Sequence, residues 1–94
     1  MNLCLVCGSP NVEVHHMIMG TANRKFSEQD GLICPLCPEH HRGNDGVHGH
    51  NVALKVALEI IGQIAWERQT MAETGCTIEI ARKGFMRRYG QSFI

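Results

Sequence analysis

The sequence predicts a small α+β domain with a β-containing half, residues 1–50, and a helical half, residues 51–94. Three observations indicate this. All six histidines and four of the five cysteines lie in the first half, which also holds two short runs of strand character. Apolar residues recur at helical spacing in the second half. With 94 residues, 44% hydrophobic and 19% charged, the chain has the balance of one folded domain, residues 1–94.

A polar segment separates the two strand signals of the first half. VEVHH, residues 12–16, alternates and is β-branched, so it predicts the first strand. GTANRKFSEQDG, residues 20–31, is polar and bounded by glycines, so we expect a loop. GLICP, residues 31–35, predicts a second strand that Pro35 and Pro38 end.

Three helix signals follow. Pro38 favours a helix start, and the Gly-Asn-Asp-Gly run at 43–46 should break that helix early. Asn51 is the expected N-cap of a long helix that reaches Thr74. The expected core-facing residues of that helix are Leu54, Leu58, Ile61 and Ala65, with Val56, Ile60, Ile64 and Trp66 widening the stripe. Thr77 should cap a last helix that turns Ile80, Ala81, Phe85 and Tyr89 inward and ends at Gly90.

Charge and cysteine usage narrow the class of protein. Nine Lys and Arg balance nine Asp and Glu, so the overall charge does not indicate a nucleic-acid partner. Four cysteines form two CxxC pairs near histidines, which favours metal binding over disulfides. The amino-terminal residues lack a basic and apolar leader, and Lys55 and Glu59 interrupt the longest apolar stretch. We therefore expect a soluble, cytoplasmic protein without a membrane span.

The cysteine spacing predicts a structural zinc site. Cys4 and Cys7 supply one pair of ligands, because CxxC spacing lets two sulfurs from one turn reach one ion. In CPLCPEHH the second pair is Cys37 with His40 or Cys34 with Cys37. We favour Cys37 with His40, because Cys34 belongs to the predicted strand whereas Cys37 leads into a helix start. A site of four cysteines and a metal-free set of buried cysteines are the alternatives.

A zinc ion shared by Cys4 and Cys37 would bring further histidines together. The strand ending in His15 and His16 and the helix carrying His41 would lie within a few residues of the same point. Successive strand residues point to opposite faces, so His15 and His16 should have different roles.

The combination of CxxC, a strand-end HH and a CxxHH helix start resembles the HNH endonucleases of the zinc-stabilised ββα-metal kind. HHMIMGTANRKFSEQDGL, LCPEHHRGNDGVHG and FMRRYGQSFI resemble a phage and prophage branch of that family, which includes a recombination-enhancing nuclease. The resemblance covers nearly the whole chain. It implies an HNH core over residues 1–50, with the helices of residues 51–94 packed on it, and metal-dependent cleavage or nicking of DNA.

The resemblance implies a role for each remaining histidine. His15 and His41 would be ligands of a catalytic divalent metal, with His48 as the candidate third ligand. His16 would be the general base that takes a proton from the attacking water. The metal could be Mg, Mn, Ni, Co or Zn, and DNA and a recombination protein are the implied partners of a monomer in the bacterial host cytoplasm.

The chain departs from the family pattern near Leu32, where the HNH asparagine would fall. Its role would pass to Asn23 or to a backbone carbonyl. The departure favours an alternative function: a zinc-stabilised DNA- or protein-binding module with an inactive nuclease site. A purely structural accessory protein of a phage is a third hypothesis.

Basic residues supply the candidate phosphate contacts. Arg24 and Lys25 lie in the expected loop, and Arg42 follows the metal-binding histidines. The segment from 82 to 91 carries four basic residues and no acid, which is either a DNA contact or a solvated helix face. These four are Arg82, Lys83, Arg87 and Arg88.

Overall fold

The computed structural model describes residues 2–94. It contains a two-stranded sheet and four helices. In chain order the elements are β1 (Glu13–His16), α1 (Thr21–Gln29), β2 (Ile33–Leu36), α2 (Pro38–His41), α3 (Val52–Thr74) and α4 (Ile78–Tyr89). The small α+β class predicted from the sequence is confirmed.

The strands β1 and β2 pair antiparallel, with His15 opposite Cys34 and His16 opposite Ile33. Both predicted strands are present, but β2 begins and ends later than expected. It continues through Pro35, which lies opposite Val14, and does not end there. Both strands of a two-stranded sheet are edge strands, and proline is tolerated in an edge strand because its missing N–H need not belong to the strand pairing.

The prediction of a loop over residues 20–31 is wrong for most of that segment, because residues 21–29 form α1. The helix is polar because most of it faces solvent, while Ser27 and Phe26 turn inward. The Ser27 hydroxyl is fully buried and accepts a hydrogen bond from the Ile18 N–H at 3.0 Å. This bond ties α1 to the end of β1.

The boundaries of the other helices are confirmed. Pro38 begins α2, which lasts four residues. The side chains of Asn51 and Thr77 accept the N–H groups of Leu54 and Ile80 as N-caps. Gly75 and Gly90 follow α3 and α4 in the left-handed conformation.

The inner face of α3 differs from the prediction. Leu58 is buried as expected and Leu54 is half-buried, but Ile61 and Ala65 are exposed. The side chains buried instead are polar: Glu59, Gln63 and Glu67. Their partners are Lys55, Ser92 and Arg82, so hydrogen bonding to the tail and to α4 decides which side turns inward.

The helix α4 packs along α3 and completes the core. Ala81, Phe85 and Tyr89 are buried as predicted, but Ile80 is 59% exposed, so its predicted inward position is wrong. Asp30, just past α1, accepts hydrogen bonds from Trp66 of α3 and Tyr89 of α4. This carboxylate joins three helices. Among the described residues, no helix is both long enough and apolar enough to cross a membrane.

Candidate metal centres

Cys4, Cys7, Cys37 and His40 converge on one point, as the sequence predicts. The Sγ atoms of Cys7 and Cys37 are 3.7 Å apart, and His40 Nδ1 lies 3.2 Å from Cys37 Sγ and 3.9 Å from Cys4 Sγ. A tetrahedron with zinc–sulfur bonds of about 2.3 Å has sulfur–sulfur edges of about 3.8 Å. The four side chains therefore fit a tetrahedral zinc ion and form a closed set.

The backbone holds the amino-terminal turn of this site against β2. The Cys4 N–H donates to the Ser9 carbonyl at 2.8 Å, and the Leu5 N–H donates to the Pro35 carbonyl at 2.9 Å. Burial opposes ionisation of Cys4, but backbone hydrogen bonds from Cys37, Cys7 and Val6 outweigh it and hold the pKa of Cys4 at about 6. A thiol that ionises readily is a good zinc ligand.

Cys34 lies outside the cluster. It is buried in β2, and burial raises the pKa of its thiol to about 11. A thiol in that environment stays protonated, which does not suit a metal ligand. The geometry favours the set with His40 over the alternative of four cysteines.

A second cluster consists of His15, His41 and His48, whose ligand nitrogens lie within 4.8 Å of one another. The ring centroids are 5.3 Å apart for His15 and His41, 5.6 Å for His15 and His48, and 4.9 Å for His41 and His48. The three histidines predicted to share an ion are therefore together. Three ligands leave positions free for other groups, unlike the set of four.

A tight glycine-containing turn brings His48 back to His41. The His48 N–H donates to the His41 carbonyl at 2.9 Å. A Cβ atom at Gly49 would lie 2.1 Å from the Gly43 carbonyl oxygen, and one at Gly46 would lie 2.8 Å from the His41 carbonyl oxygen. Only glycine permits these approaches, so the seven residues after His41 can fold back on α2.

The environment of His15 fits a metal. The residue is 1% exposed, and neither ring nitrogen has a hydrogen-bond partner among the described residues. An unpaired buried polar atom is costly, and an ion would satisfy one of the two. Burial first, and then the neighbouring His41 and His48, lower the pKa of His15 to about 4. The ring is therefore neutral near pH 7, which is the form that binds metal.

Glu13 orients His41 and was not predicted as a site residue. The Nδ1–H of His41 donates to Glu13 Oε1 at 2.8 Å, which leaves Nε2 as the free acceptor. The Nε–H of Arg42 donates to both oxygens of the same carboxylate, at 3.1 Å to Oε1 and 3.0 Å to Oε2. The hydrogen bonds from Arg42 and then His41 lower the pKa of Glu13 to about 2. A carboxylate two residues before His15, on the same strand face, was the available signal.

His16 lies beside the three histidines without belonging to their cluster. A cavity of about 380 Å³ is lined by His15, His16, His41 and His48, together with Arg24. His16 Nε2 lies 3.3 Å from the exposed carboxylate of Glu28 on α1, a second partner that the sequence did not predict. The predicted base and the predicted ligands thus face one space.

The candidate phosphate contacts divide into free and paired residues. Arg24 lines the cavity, and its neighbour Lys25 is exposed. Arg42 is paired with Glu13, and Arg82 and Arg88 are paired with Glu67 and Asp30. Lys83 and Arg87 are exposed.

Asn23 holds the loop after β1. Its side-chain amide donates to the carbonyls of Met19 and Tyr89, each at 3.2 Å. It therefore ties that loop to the end of α4. Leu32, where the family asparagine would fall, is buried in the core.

Comparison with known proteins adds no relative. No family model, no curated protein and no solved structure matches this chain.

Proposed function

We propose that the protein is a metal-dependent DNA endonuclease or nickase of the HNH kind. The observation that supports this most is the cavity in which His16 stands beside three histidines that can share an ion. A closed cluster next to an open one is the arrangement expected of a structural ion beside a catalytic one.

His16 would act as the general base. Its Nε2–H faces the Glu28 carboxylate, so Nδ1 keeps the lone pair that accepts a proton from the attacking water. An imidazole is the side chain that most often takes a proton in this way. Glu28 would take over the orienting role of the missing asparagine, while Asn23 would hold the loop.

His15, His41 and His48 would hold the catalytic ion. A divalent cation there supplies the positive charge that the scissile phosphate and its leaving oxygen require. Arg24 is placed to bind a phosphate oxygen, because it lines the same cavity. Glu13 would keep the Nδ1 proton on His41 and so hold Nε2 free for the ion.

Nicking of a supercoiled plasmid by the zinc-loaded protein tests the proposal, with Mg²⁺, Mn²⁺, Co²⁺ or Ni²⁺ added in turn. We expect nicking with at least one ion, and a rate for His16→Ala lower by about 10²–10⁴-fold, the usual contribution of a general base. The matched control is His50→Ala, because His50 is exposed and lies outside both clusters. No nicking with any ion, or an undiminished rate in His16→Ala, would contradict the proposal.

The absent asparagine near Leu32 favours a second candidate, a zinc-held binding module without nuclease activity. Metal content distinguishes the two. Two ions per chain, one of them removable without unfolding, support the enzyme, whereas one ion in total supports the module. A phage origin and a recombination protein as partner are further parts of the proposal that follow from the family resemblance alone.

A further inference from the structure

His40 turns one ring nitrogen to the closed cluster and the other to a carboxylate. Its Nδ1 lies 3.2 Å from Cys37 Sγ and 3.9 Å from Cys4 Sγ, so Nδ1 is the atom that would bind the ion. The proton of the neutral ring is then on Nε2. Asp45 Oδ2 lies 3.5 Å from this Nε2. In a loaded site the Nε2–H of His40 therefore faces a negative charge.

Three hydrogen bonds that involve no metal ligand hold Asp45 in this place. Its backbone N–H donates to Glu39 Oε1 at 3.1 Å. The side-chain amide of Asn51 donates to Asp45 Oδ1 at 3.2 Å and to the Asp45 carbonyl at 3.3 Å. These bonds fix the carboxylate with Oδ1 toward Asn51 and Oδ2 toward His40.

Asn51 also begins the long helix. Its Oδ1 accepts the Leu54 N–H at 3.0 Å as the N-cap of α3, while its Nδ2 donates to Asp45. The two ends of one amide thus serve the helix and the carboxylate. A continuous chain of polar contacts runs from the closed cluster through His40, Asp45 and Asn51 to the first turn of α3.

We propose that Asp45 is a positioning residue of the closed metal centre and that, through Asn51, it ties the ion to the start of α3. A carboxylate at the second nitrogen of a ligating histidine fixes the orientation of the ring and makes the first nitrogen a stronger ligand. The ion in turn withdraws charge from the ring and strengthens the attraction of its N–H to Asp45. The proposal requires the structural ion but not nuclease activity.

The expected effect is at the low end for a partner of this kind. Removing a carboxylate that orients a metal ligand weakens metal binding about 10–100-fold. The side chain of Asp45 is 66% exposed, so water and salt screen the contact. A separation of 3.5 Å is also long for a hydrogen bond. We therefore expect Asp45→Ala to weaken zinc binding by about 10-fold.

Competition for Zn²⁺ between the protein and a chelator of known affinity measures this loss. Asp45→Asn keeps an acceptor oxygen and should lose less affinity than Asp45→Ala. The matched control is Asn44→Ala, because Asn44 is exposed and next to Asp45 but takes no part in the contacts above. Asn44→Ala should bind zinc like the wild-type protein. Unchanged affinity in Asp45→Ala, or an equal loss in Asn44→Ala, overturns the proposal.

Hydrogen exchange of the zinc-loaded protein, followed by nuclear magnetic resonance, separates positioning of the ring from loosening of the turn. Asp45→Ala should speed exchange of the His40 Nε2–H, and Asp45→Asn should restore slow exchange. The reference is the Val47 N–H, which donates to the His40 carbonyl at 3.0 Å and reports the turn itself. Its exchange should stay unchanged in both variants. Equal acceleration at Val47 would show a role in the turn alone and overturn the proposal.

Asn51→Ser tests the link to α3. Serine is as good an N-cap as asparagine, but it has no amide that donates to Asp45. The variant should therefore keep its helix content by circular dichroism and still bind zinc more weakly. Combined with Asp45→Ala it should add no further loss, because the two residues act in series. Unchanged zinc affinity in Asn51→Ser, or losses that add in the double variant, would overturn the link.

Discussion

Replacing Cys37 by alanine should unfold the protein, whereas replacing Cys34 should not. The two cysteines are a matched pair, since they are 5% and 6% exposed and lie three residues apart. Only Cys37 belongs to the cluster with Cys4, Cys7 and His40. The difference between the two variants therefore isolates the role of the metal from the cost of a small buried cavity.

The expected loss of stability follows from comparing the net stability of a chain of this size with the contribution of a zinc site. At about 0.05–0.15 kcal/mol per residue, 94 residues give a net stability of roughly 5–14 kcal/mol. A structural zinc site of this kind contributes about 10–16 kcal/mol in small domains. Loss of one ligand therefore removes most or all of the margin, while Cys34→Ala should cost about 1–2 kcal/mol for the lost buried atoms.

Zinc content per chain and urea unfolding measure the two effects. The fluorescence of Trp66 reports unfolding, because its ring packs on Phe85 and its N–H donates to Asp30. We expect Cys34→Ala to keep the structural ion and a cooperative transition, and Cys37→Ala to lose both. If Cys37→Ala kept its zinc and stability, the assignment of the closed site would be refuted. If Cys34→Ala lost the ion equally, the site of four cysteines would be favoured.

Three further predictions concern Glu13 beside the histidine cluster and Asp30 and Tyr89 among the packed helices. Glu13→Gln should weaken metal binding at the histidine cluster about 10–100-fold, because His41 loses its orienting carboxylate. Calorimetric titration with Mn²⁺ measures this affinity, and an unchanged value would contradict the prediction. Asp30→Asn should lower the free energy of unfolding by about 1–3 kcal/mol, because Arg88, Trp66 and Tyr89 lose a charged acceptor in a partly buried site. The exposed control on α1, Lys25→Ala, should cost less than about 0.5 kcal/mol. Burial, with the hydrogen bond to Asp30, raises the pKa of Tyr89, so its stabilisation is present below about pH 10 and is lost as the pH rises further. Urea unfolding above about pH 10 should show a smaller loss of unfolding free energy in Tyr89→Phe than in the wild-type protein. An equal loss in both proteins would contradict the prediction.

Local chemistry made part of the structure predictable. The caps at Asn51 and Thr77 and the terminating glycines act within one helical turn, so their residue types identify the ends of α3 and α4. The closed cluster was predictable because CxxC spacing and the turn at Pro38 constrain the ligands directly.

The features that depend on distant partners were not predictable in the same way. Residues 21–29 contain no glycine or proline and form a helix, but their polarity hid it, because only Phe26 and Ser27 turn inward. The inner side of α3 was assigned by hydrophobicity, whereas hydrogen bonds to residues 15 to 29 positions later bury Gln63 and Glu67. Glu13 and Glu28 became visible as site residues only once the strand and α1 were placed beside the histidines.

His40 and His41 are neighbours in the chain but belong to different clusters. Because one peptide bond joins them, an ion that fixes His40 in the closed cluster also fixes the backbone of His41 in the open cluster. Assembly should run in one direction: filling of the closed site fixes α2 and creates the open site, whereas emptying the open site leaves the closed one intact. If the proposed function holds, a cell that is short of zinc would lose both centres together, whereas scarcity of the second metal would leave the protein folded but without nuclease activity.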